Sequence, residues 1–319
     1  MRRFALVGRP VAGSLSPAMH NAAFAAAGLD ACYEAREVAP EDLAEVFGAA
    51  AGYSGLNVTV PHKTAAAALC DTLSEPARLA GAVNTVVFTG PGRRAAGHNT
   101  DVPALLAIMR EWTGRRRVGP TGGRPEDACF RAAILGAGGA ARAAAVASAL
   151  AGAAEVVLAA RALNRAAAAA ADLGRRFAEA APATPAMSAR SAPTPTLFRG
   201  AELAGLAPGV LGGGFDVVVQ ATSAPDGALG PFGSTGPLRR AGLAIELNYH
   251  PPRTRFVAEA EAAGAWAVDG LEVLLRQGEE AFRLFTGVAA PPGVMHRALL
   301  EAASSRTNAK GGRGQCQDC

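Results

Sequence analysis

Lysine is nearly absent from this chain of 319 residues, because the 31 cationic side chains of lysine and arginine include lysine only at Lys63 and Lys310. A guanidinium effectively never loses its proton, whereas a lysine ammonium can be tuned to exchange a proton near neutral pH. Lys63 is therefore a candidate acid or base. The alternative is chance retention, since Lys310 shows that lysine is not excluded from the chain.

Charge is also scarce, since charged residues make up 18% of the chain and the formal net charge is +4. The positive excess is scattered apart from residues 115–117, so no nucleic-acid surface is predicted. A modest positive bias suits small anions such as carboxylates and phosphates. Because half of the residues are hydrophobic, the chain can form one large domain or two of ordinary size.

Long apolar runs are missing, so neither a membrane span nor a secretory signal is predicted. Cys32, Cys70 and Cys129 lie apart in apolar segments and are expected to be buried free thiols. Cys316 and Cys319 form a single C-x-x-C pair, which cannot complete a zinc site alone. The histidines show no metal-ligand spacing, so no metal is predicted, and a reducing cytoplasm is the compartment expected.

Short β-like runs alternate with helical stretches, which predicts an α/β fold. In the first half, strands are expected at residues 4–7, 32–38, 56–60, 83–88 and 95–99. In the second half, strands are expected at residues 130–135, 155–159 and 215–219. Loops are expected at 113–128 and 181–198. Helices are expected near 253–263, 270–286 and 292–304, followed by a disordered tail at 305–319.

A glycine-rich turn lies between the strand expected at 130–135 and a helix, with the spacing Gly136-x-Gly138-x-x-Ala141. In this pattern the first glycine permits a tight turn, the second lets a pyrophosphate approach, and the small third residue packs helix on strand. The helix N-terminus then binds the phosphates. The turn predicts a dinucleotide site, and the alternative is a turn that only packs.

The end of the next strand distinguishes NADP from NAD. NAD-binding domains usually carry an acidic residue there, whereas this strand ends at Arg161, with Arg165 one helical turn later. Two guanidiniums attract a 2′-phosphate, and they are unfavourable at a helix N-terminus unless an anion is present. NADP is therefore the predicted cofactor, unless these arginines are merely solvated.

Small polar residues cluster at the expected strand ends of the first half. In a parallel sheet, segments that follow strands meet at the carboxyl edge, where α/β proteins bind ligands. Each residue alone could be a helix cap, but five such sites, one of them the lysine, predict a polar pocket. They are Ser14 with Ser16, Thr59, Lys63, Asn84 with Thr85, and the segment 99–101.

These motifs, taken in order, make the chain similar to the shikimate dehydrogenase family over nearly its whole length. The resemblance implies reversible NADPH-dependent reduction of 3-dehydroshikimate to shikimate, in the pathway to chorismate and the aromatic amino acids. It rests on residues 13–17 with 20–21, 57–63, 81–85, 99–101, the glycine turn, 221–223, 249–254 and 269–277.

The positions of these motifs imply two α/β domains. A substrate domain with a mainly parallel sheet is expected over residues 1–101 plus 270–304, so that the C-terminal helices return to it. A Rossmann NADP-binding domain is expected over residues 102–269. The expected partner is a small-molecule substrate rather than nucleic acid or a membrane, and a homodimer is left open.

The resemblance also implies roles for individual residues. Lys63, paired with Asp101, would exchange a proton with the reacting oxygen of the substrate. The implied substrate ligands are Ser14 and Ser16 for the carboxylate, with Tyr249 beside it, and Thr59, Asn84, Asp101 and Gln277 for the ring hydroxyls, together with Lys63. The implied cofactor contacts are Gly136, Ala137, Gly138, Gly139, Ala140, Arg161, Arg165, Thr222, Leu247 and Gly270.

Four departures from the family pattern concern the cofactor more than the chemistry. Ala160-Arg161-Ala162 replaces Asn-Arg-Thr, Val102 replaces a glycine, Gln220 replaces an asparagine, and Glu246 replaces an aspartate. We expect a hydrogen bond or two on the adenosine side to be missing. Three alternatives stay open: a quinate- or aminoshikimate-active relative, a non-catalytic ligand sensor, and a nucleotide-binding scaffold.

Overall fold

The chain divides into two compact units, each made of more than one segment. The first unit comprises Met1–Leu73, Val83–Thr100 and Leu274–Cys319, and the second comprises Ser74–Ala82 and Asp101–Val273. The computed structural model describes residues 1–48, 52–90, 92–117, 129–180, 196–203, 214–224, 238 and 241–311.

The first unit is built on one six-stranded sheet. Its elements are β1 (Arg2–Gly8), α1 (Ser16–Ala26), β2 (Ala31–Glu37), a 3-10 turn (Pro40–Asp42), α2 (Leu43–Phe47), β3 (Gly55–Val58), α3 (Lys63–Ala68), β4 (Thr72–Leu73), β5 (Thr85–Thr89) and β6 (Arg94–His98). The strand order is β2-β1-β3-β5-β6-β4. Three of the pairs are parallel, but β5 runs antiparallel to both of its neighbours.

The direction of β5 corrects one premise of the sequence analysis. Asn84 does not follow a strand, because it lies immediately before β5. Since β5 is antiparallel to β3 and β6, its first residue lies at the edge where those two strands end. Thr85 accordingly pairs with Asn57 near the end of β3 and with His98 at the end of β6. The polar segments therefore still meet at one edge, by a different route.

The C-terminal helices α9 (Gly270–Thr286) and α10 (Val294–Gly311) complete the core of the first unit. The Phe4 ring lies 5.3 Å from that of Phe24 and 4.7 Å from that of Phe285, centroid to centroid. Phe282 and Met295 are buried in the same cluster. Burial of this aromatic surface against β1 and α1 explains why the chain returns to its first unit, as expected.

The second unit contains a fully parallel six-stranded sheet. Its elements are α4 (Glu75–Ala80), α5 (Asp101–Arg117), β7 (Phe130–Leu135), α6 (Gly139–Leu150), β8 (Ala153–Ala160), α7 (Leu163–Ala180), β9 (Leu197–Glu202), β10 (Val217–Gln220), β11 (Leu243–Glu246), α8 (Arg255–Ala262) and β12 (Trp266–Val268). The order β12-β11-β10-β7-β8-β9 is that of a Rossmann fold, with its switch point between β7 and β10. The predicted α/β class with a Rossmann domain is confirmed.

Several boundaries differ from those expected. The interval 181–198 contains the start of β9, an edge strand with few apolar side chains, which is why periodicity missed it. Helix α5 continues through residue 117 into the interval expected as a loop, and α10 continues to Gly311, beyond the expected start of a disordered tail. Residues 118–128, 181–195 and 312–319, which include the Cys316–Cys319 pair, lie outside the described residues.

Helix α4 belongs to the second unit, although the sequence analysis placed it in the first domain. Arg142 of α6 is buried and donates from Nε to the carbonyl oxygen of Ala80 at 2.5 Å, and it forms an ion pair with Asp172. Arg176 donates to the carbonyl of Arg78 at 2.9 Å. Two guanidiniums therefore bind the C-terminal carbonyls of α4, the end at which positive charge is favourable.

The cysteines are less buried than expected. Cys32 and Cys70 are half-buried free thiols, and Cys129 is exposed because it lies just before β7 begins. The prediction of burial is thus wrong for Cys129. In the part of the chain that the structure covers, no helix combines the length and apolar character required to span a bilayer.

Candidate active site

Asn84 lies at the centre of a buried polar cluster at the edge where β3 and β6 end and β5 begins. The backbone N–H of Thr100 donates to Asn84 Oδ1 at 2.8 Å, and Asn84 Nδ2 donates to Thr100 Oγ1 at 2.9 Å. Both residues are no more than 3% exposed. Because a backbone N–H can only donate, it determines which end of the Asn84 amide faces Thr100.

Gln277 of α9 joins the same cluster from the C-terminal part of the first unit. Its Oε1 accepts from Thr100 Oγ1 at 3.3 Å, and its Nε2 donates to the carbonyl of Leu274 at 3.0 Å. The structure thus brings together Asn84 and Gln277, two predicted ring-hydroxyl ligands separated by 193 positions in their residue numbers (277 − 84). Amides in fixed orientations suit a polyhydroxylated ring, because each supplies both a donor and an acceptor.

Lys63 is the first residue of α3 and is half-buried. Its carbonyl accepts from the N–H of Val83 at 2.8 Å, one residue before Asn84. The preceding residue, His62, is buried, and its Nε2 lies 2.8 Å from the Val38 carbonyl. These bonds attach the backbone of Lys63 to the edge of the sheet that carries Asn84.

The two predicted carboxylate-binding serines lie at the start of α1. Ser14 Oγ accepts from the backbone N–H of Ser16 at 3.2 Å. Ser14 is half-buried and Ser16 is 5% exposed, so both hydroxyls lie at or below the surface. Thr59 follows β3 and is half-buried, and its N–H donates to the Val7 carbonyl of β1 at 2.9 Å.

The glycine turn of the second unit has space for a phosphate group beside it. Gly136 has φ +128°, and a Cβ there would lie 3.0 Å from the carbonyl oxygen of Ala221, so both conformation and space require glycine. A Cβ at Gly138 would meet nothing within 4 Å. Open space therefore faces the start of α6, where backbone N–H groups can bind an anion. The other turn residues, Ala137, Gly139 and Ala140, are half-buried.

Arg161 and Arg165 are exposed just after β8, around the start of α7. Among the described residues, neither guanidinium forms an ion pair or a hydrogen bond. Other arginines of this unit are paired, as Arg199 is with Glu155 at 3.2 Å. Two unpaired cations at a helix N-terminus are electrostatically unfavourable by themselves. A bound phosphate would make the net electrostatic interaction favourable.

The loops after β10 and β11 are held by two side chains that depart from the family pattern. Gln220 and Glu246 are paired in register, and each side chain accepts the N–H two residues ahead, at Thr222 (3.1 Å) and Asn248 (2.8 Å). Asn248 Nδ2 also donates to the Thr222 carbonyl at 3.0 Å, which joins the loops. Leu247, a predicted cofactor contact, lies between Glu246 and Asn248.

Gly270 begins α9 beside the same loops. A Cβ at this position would lie 2.3 Å from the Asn248 carbonyl oxygen and 3.1 Å from the Tyr249 nitrogen, so only glycine fits. The close approach brings Gly270 next to Tyr249, which is half-buried.

Asp101 is 8% exposed and begins α5, in the second unit, whereas Lys63 belongs to the first. Pairing of Lys63 with Asp101 stays a prediction.

Two family models match the chain. A model described as the shikimate dehydrogenase substrate binding domain matches residues 6–86, and one described as the shikimate 5′-dehydrogenase C-terminal domain matches residues 270–300. An NADP(+) shikimate dehydrogenase from Methanopyrus kandleri is 40% identical over 301 residues, which cover 93% of this chain and 94% of the relative. The chain belongs to the shikimate dehydrogenase family.

Solved structures of this family share the fold. A shikimate 5-dehydrogenase from Thermus thermophilus, solved with NADP(H) and shikimate, is 34% identical, with a TM-score of 0.66 over 95% of this chain and 100% of that chain. A quinate dehydrogenase from Corynebacterium glutamicum, solved with NAD, is 27% identical, with a TM-score of 0.73 over 94% and 99%. The predicted family is confirmed, and the chain is an oxidoreductase.

Sequence reasoning missed the residues that support the ligands of this family. Asn57 lies inside a motif of the family without an assigned role, Thr85 was predicted only as a member of the polar pocket and not as a ligand, and Tyr33 was not singled out. The clearest sequence signal for these residues was a polar side chain within an apolar strand, because a polar group that is buried without a partner is costly. Within the described ranges, no group of three or more metal-ligating side chains occurs.

Proposed function

We propose that this chain catalyses the reversible NADPH-dependent reduction of 3-dehydroshikimate to shikimate, in the pathway to chorismate and the aromatic amino acids. The observation that carries the proposal is the hydrogen-bonded cluster of buried Asn84 and Thr100 with half-buried Gln277, in a chain of this family. The cluster lies at the edge of the sheet where β3 and β6 end. Helix α1, which begins at Ser16, follows β1, and helix α3, which begins at Lys63, follows β3. Hydroxyl and amide ligands match a substrate that carries ring hydroxyls and a carboxylate.

NADP is the cofactor of the proposed reaction, and when bound it supplies or accepts the hydride. The backbone N–H groups that follow Gly138 would hold its pyrophosphate. Arg161 and Arg165 would bind the 2′-phosphate, because a planar guanidinium forms paired hydrogen bonds to phosphate oxygens. Their lack of described partners supports this role. Thr222, Leu247 and Gly270 would line the remainder of the cofactor site.

Lys63 is the proposed acid in the reducing direction and base in the other. Its ammonium would give a proton to the substrate oxygen as negative charge develops there, and its neutral amine would take the proton back. Asp101 would stabilise the protonated amine, since an opposite charge favours the ionised form. Ser14 and Ser16 would hold the carboxylate with Tyr249, and Thr59, Asn84, Asp101 and Gln277 would bind the ring hydroxyls.

The test is reduction of NADP, followed by absorbance, with shikimate, quinate and an amino-substituted shikimate, each also offered with NAD. We expect shikimate with NADP to give the highest kcat/KM. A preference for quinate with NAD would instead favour the activity named for the Corynebacterium relative. Tight shikimate binding without turnover under any condition would favour a sensor and contradict the proposal.

Two further properties are proposed with the function. The reducing cytoplasm is the proposed compartment, because Cys32, Cys70 and Cys129 are free thiols. A homodimer is the proposed assembly if the chain is not a monomer, and sedimentation equilibrium would measure which state occurs.

A further inference from the structure

Tyr33 is held through both its backbone and its ring by two consecutive residues of α1, His20 and Asn21. The Asn21 side chain binds both of its backbone groups, since Nδ2 donates to the Tyr33 carbonyl and Oδ1 accepts from the Tyr33 N–H, each at 2.8 Å. The His20 ring stacks on the Tyr33 ring at 4.4 Å between centroids, with an interplanar angle of 6°. His20 and Asn21 belong to a family motif to which the proposed function assigns no role.

The Tyr33 hydroxyl begins a chain of hydrogen bonds through the sheet. Tyr33 Oη donates to Asn57 Oδ1 at 2.7 Å, and Asn57 Nδ2 donates to Thr85 Oγ1 at 2.9 Å. Asn57 Nδ2 also donates to the Asn84 carbonyl at 3.2 Å. Because a carbonyl can only accept, this bond fixes the Asn57 amide with its oxygen towards Tyr33. All four residues are no more than 6% exposed.

The chain continues to both amides of the proposed substrate site. Thr85 Oγ1 donates to Asn84 Oδ1 at 3.1 Å, and Asn84 Nδ2 donates to Thr100 Oγ1 at 2.9 Å. Thr100 Oγ1 then donates to Gln277 Oε1 at 3.3 Å. The five bonds run in one direction, from a phenol to a glutamine. Each acceptor is satisfied by the group before it, as buried polar groups require.

We propose that Tyr33 is a positioning residue for substrate recognition, and that it acts through this relay of Tyr33, Asn57, Thr85, Asn84 and Thr100, which ends on Gln277. The relay presents the amides of Asn84 and Gln277 to the substrate in one orientation. The His20–Asn21 motif serves to hold Tyr33 at its start. This inference rests on the proposed function, because it assigns Asn84 and Gln277 to the shikimate hydroxyls.

The primary test is Tyr33→Phe, which keeps the ring that stacks on His20 and removes only the first donor of the relay. Asn57 Oδ1 then loses its partner, so the relay is free to reorient. We expect KM for shikimate to rise about 3- to 10-fold, the range of one net hydrogen bond, with KM for NADP and kcat changed by less than about 2-fold. A structural role alone would lower the melting temperature without separating the two KM values.

Tyr53→Phe is the matched control, because Tyr53 is also a buried tyrosine of the first unit. Its hydroxyl donates to Glu34 Oε1 at 2.5 Å, outside the relay. We expect this variant to leave both KM values unchanged. Equal KM values for shikimate in Tyr33→Phe and Tyr53→Phe would overturn the inference, as would a rise in KM for NADP that matches the rise for shikimate.

A double-mutant cycle tests whether the residues act in one chain. Thr85→Val interrupts the relay at its midpoint with little change of volume. If Tyr33 acts through Thr85, the double variant has a KM for shikimate close to that of the weaker-binding single variant. A KM equal to the product of the two separate effects would contradict the relay. If the wild type neither binds nor oxidises shikimate, the proposed function fails and the inference with it.

Discussion

The two units present polar groups to ligands in opposite ways. In the first unit, the buried side chains of Asn84 and Thr100 and the half-buried side chain of Gln277 are hydrogen-bonded to one another. In the second unit, the glycine turn offers backbone N–H groups beside open space, and Arg161 and Arg165 have no described partners. The first arrangement favours recognition of a shape with defined hydroxyl positions. The second favours binding of charge.

The largest effect should come from Lys63→Ala, which tests whether the first unit supplies chemistry as well as recognition. We expect kcat to fall by about 10²- to 10⁴-fold, the usual contribution of general acid–base catalysis. Shikimate binding, measured by calorimetry, should weaken but persist. Lys63→Arg sharpens the test, because it keeps the charge but not the transferable proton. Turnover near the wild-type rate in either variant would remove Lys63 from the mechanism.

Substitution of both unpaired arginines tests the charge-binding role of the second unit. The Arg161→Ala/Arg165→Ala variant should raise KM for NADP about 10- to 100-fold, because charge-assisted hydrogen bonds are stronger than neutral ones. KM for NAD, which has no 2′-phosphate, should change little. Arg199→Ala is the control, since Arg199 is exposed in the same unit but paired with Glu155. Equal losses with NADP and NAD would contradict the assignment.

Two glycines of the same turn should respond differently to alanine. Gly136→Ala should lower the free energy of unfolding by about 1–3 kcal/mol, because φ +128° is unfavourable for alanine and the Ala221 carbonyl is close. Gly138→Ala should change that free energy by less than about 0.5 kcal/mol and still raise KM for NADP. Chemical denaturation and kinetics measure the two effects. Similar stability losses in both variants would show that the space beside Gly138 is not free.

His20 should make the stability of the protein depend on pH. Burial lowers the pKa of His20 from 6.5 to about 3. The unfolded chain therefore binds a proton below about pH 6.5 that the folded chain excludes, so stability is complete above that pH and is lost as the pH falls towards 3. The loss approaches about 1.4 kcal/mol per pH unit.

Thermal melts of the wild type and His20→Phe between neutral pH and pH 4 measure this dependence. The wild type should lose stability faster on acidification than the variant. His296→Phe is the control, because His296 is exposed and should leave the slope unchanged. Parallel slopes for the wild type and His20→Phe would show that His20 is not the group responsible.

Most strands of the described residues were predictable from their apolar runs, and three of the four that were missed lie at sheet edges. The sequence indicated β1, β7 and β10, whose side chains are mostly buried, and it missed the edge strands β4, β9 and β12 as well as β11, which is internal and buried. Edge strands lack the two-sided burial that creates an apolar run. Asn84 could be predicted as a site residue although β5, which follows it, runs antiparallel to its neighbours, because residue type and motif do not depend on strand direction.

The sequence by itself determined the family, the glycine turn and the amide and hydroxyl character of the proposed substrate site, because each depends on residue type at short spacing. Only the tertiary structure revealed that antiparallel β5 brings Asn84 to the edge with Thr100, that α9 returns Gln277 to it, and that Tyr33 lies at the start of the same chain of bonds. Hydrogen bonds between residues far apart in the chain depend on strand order and helix docking. No local pattern encodes those contacts.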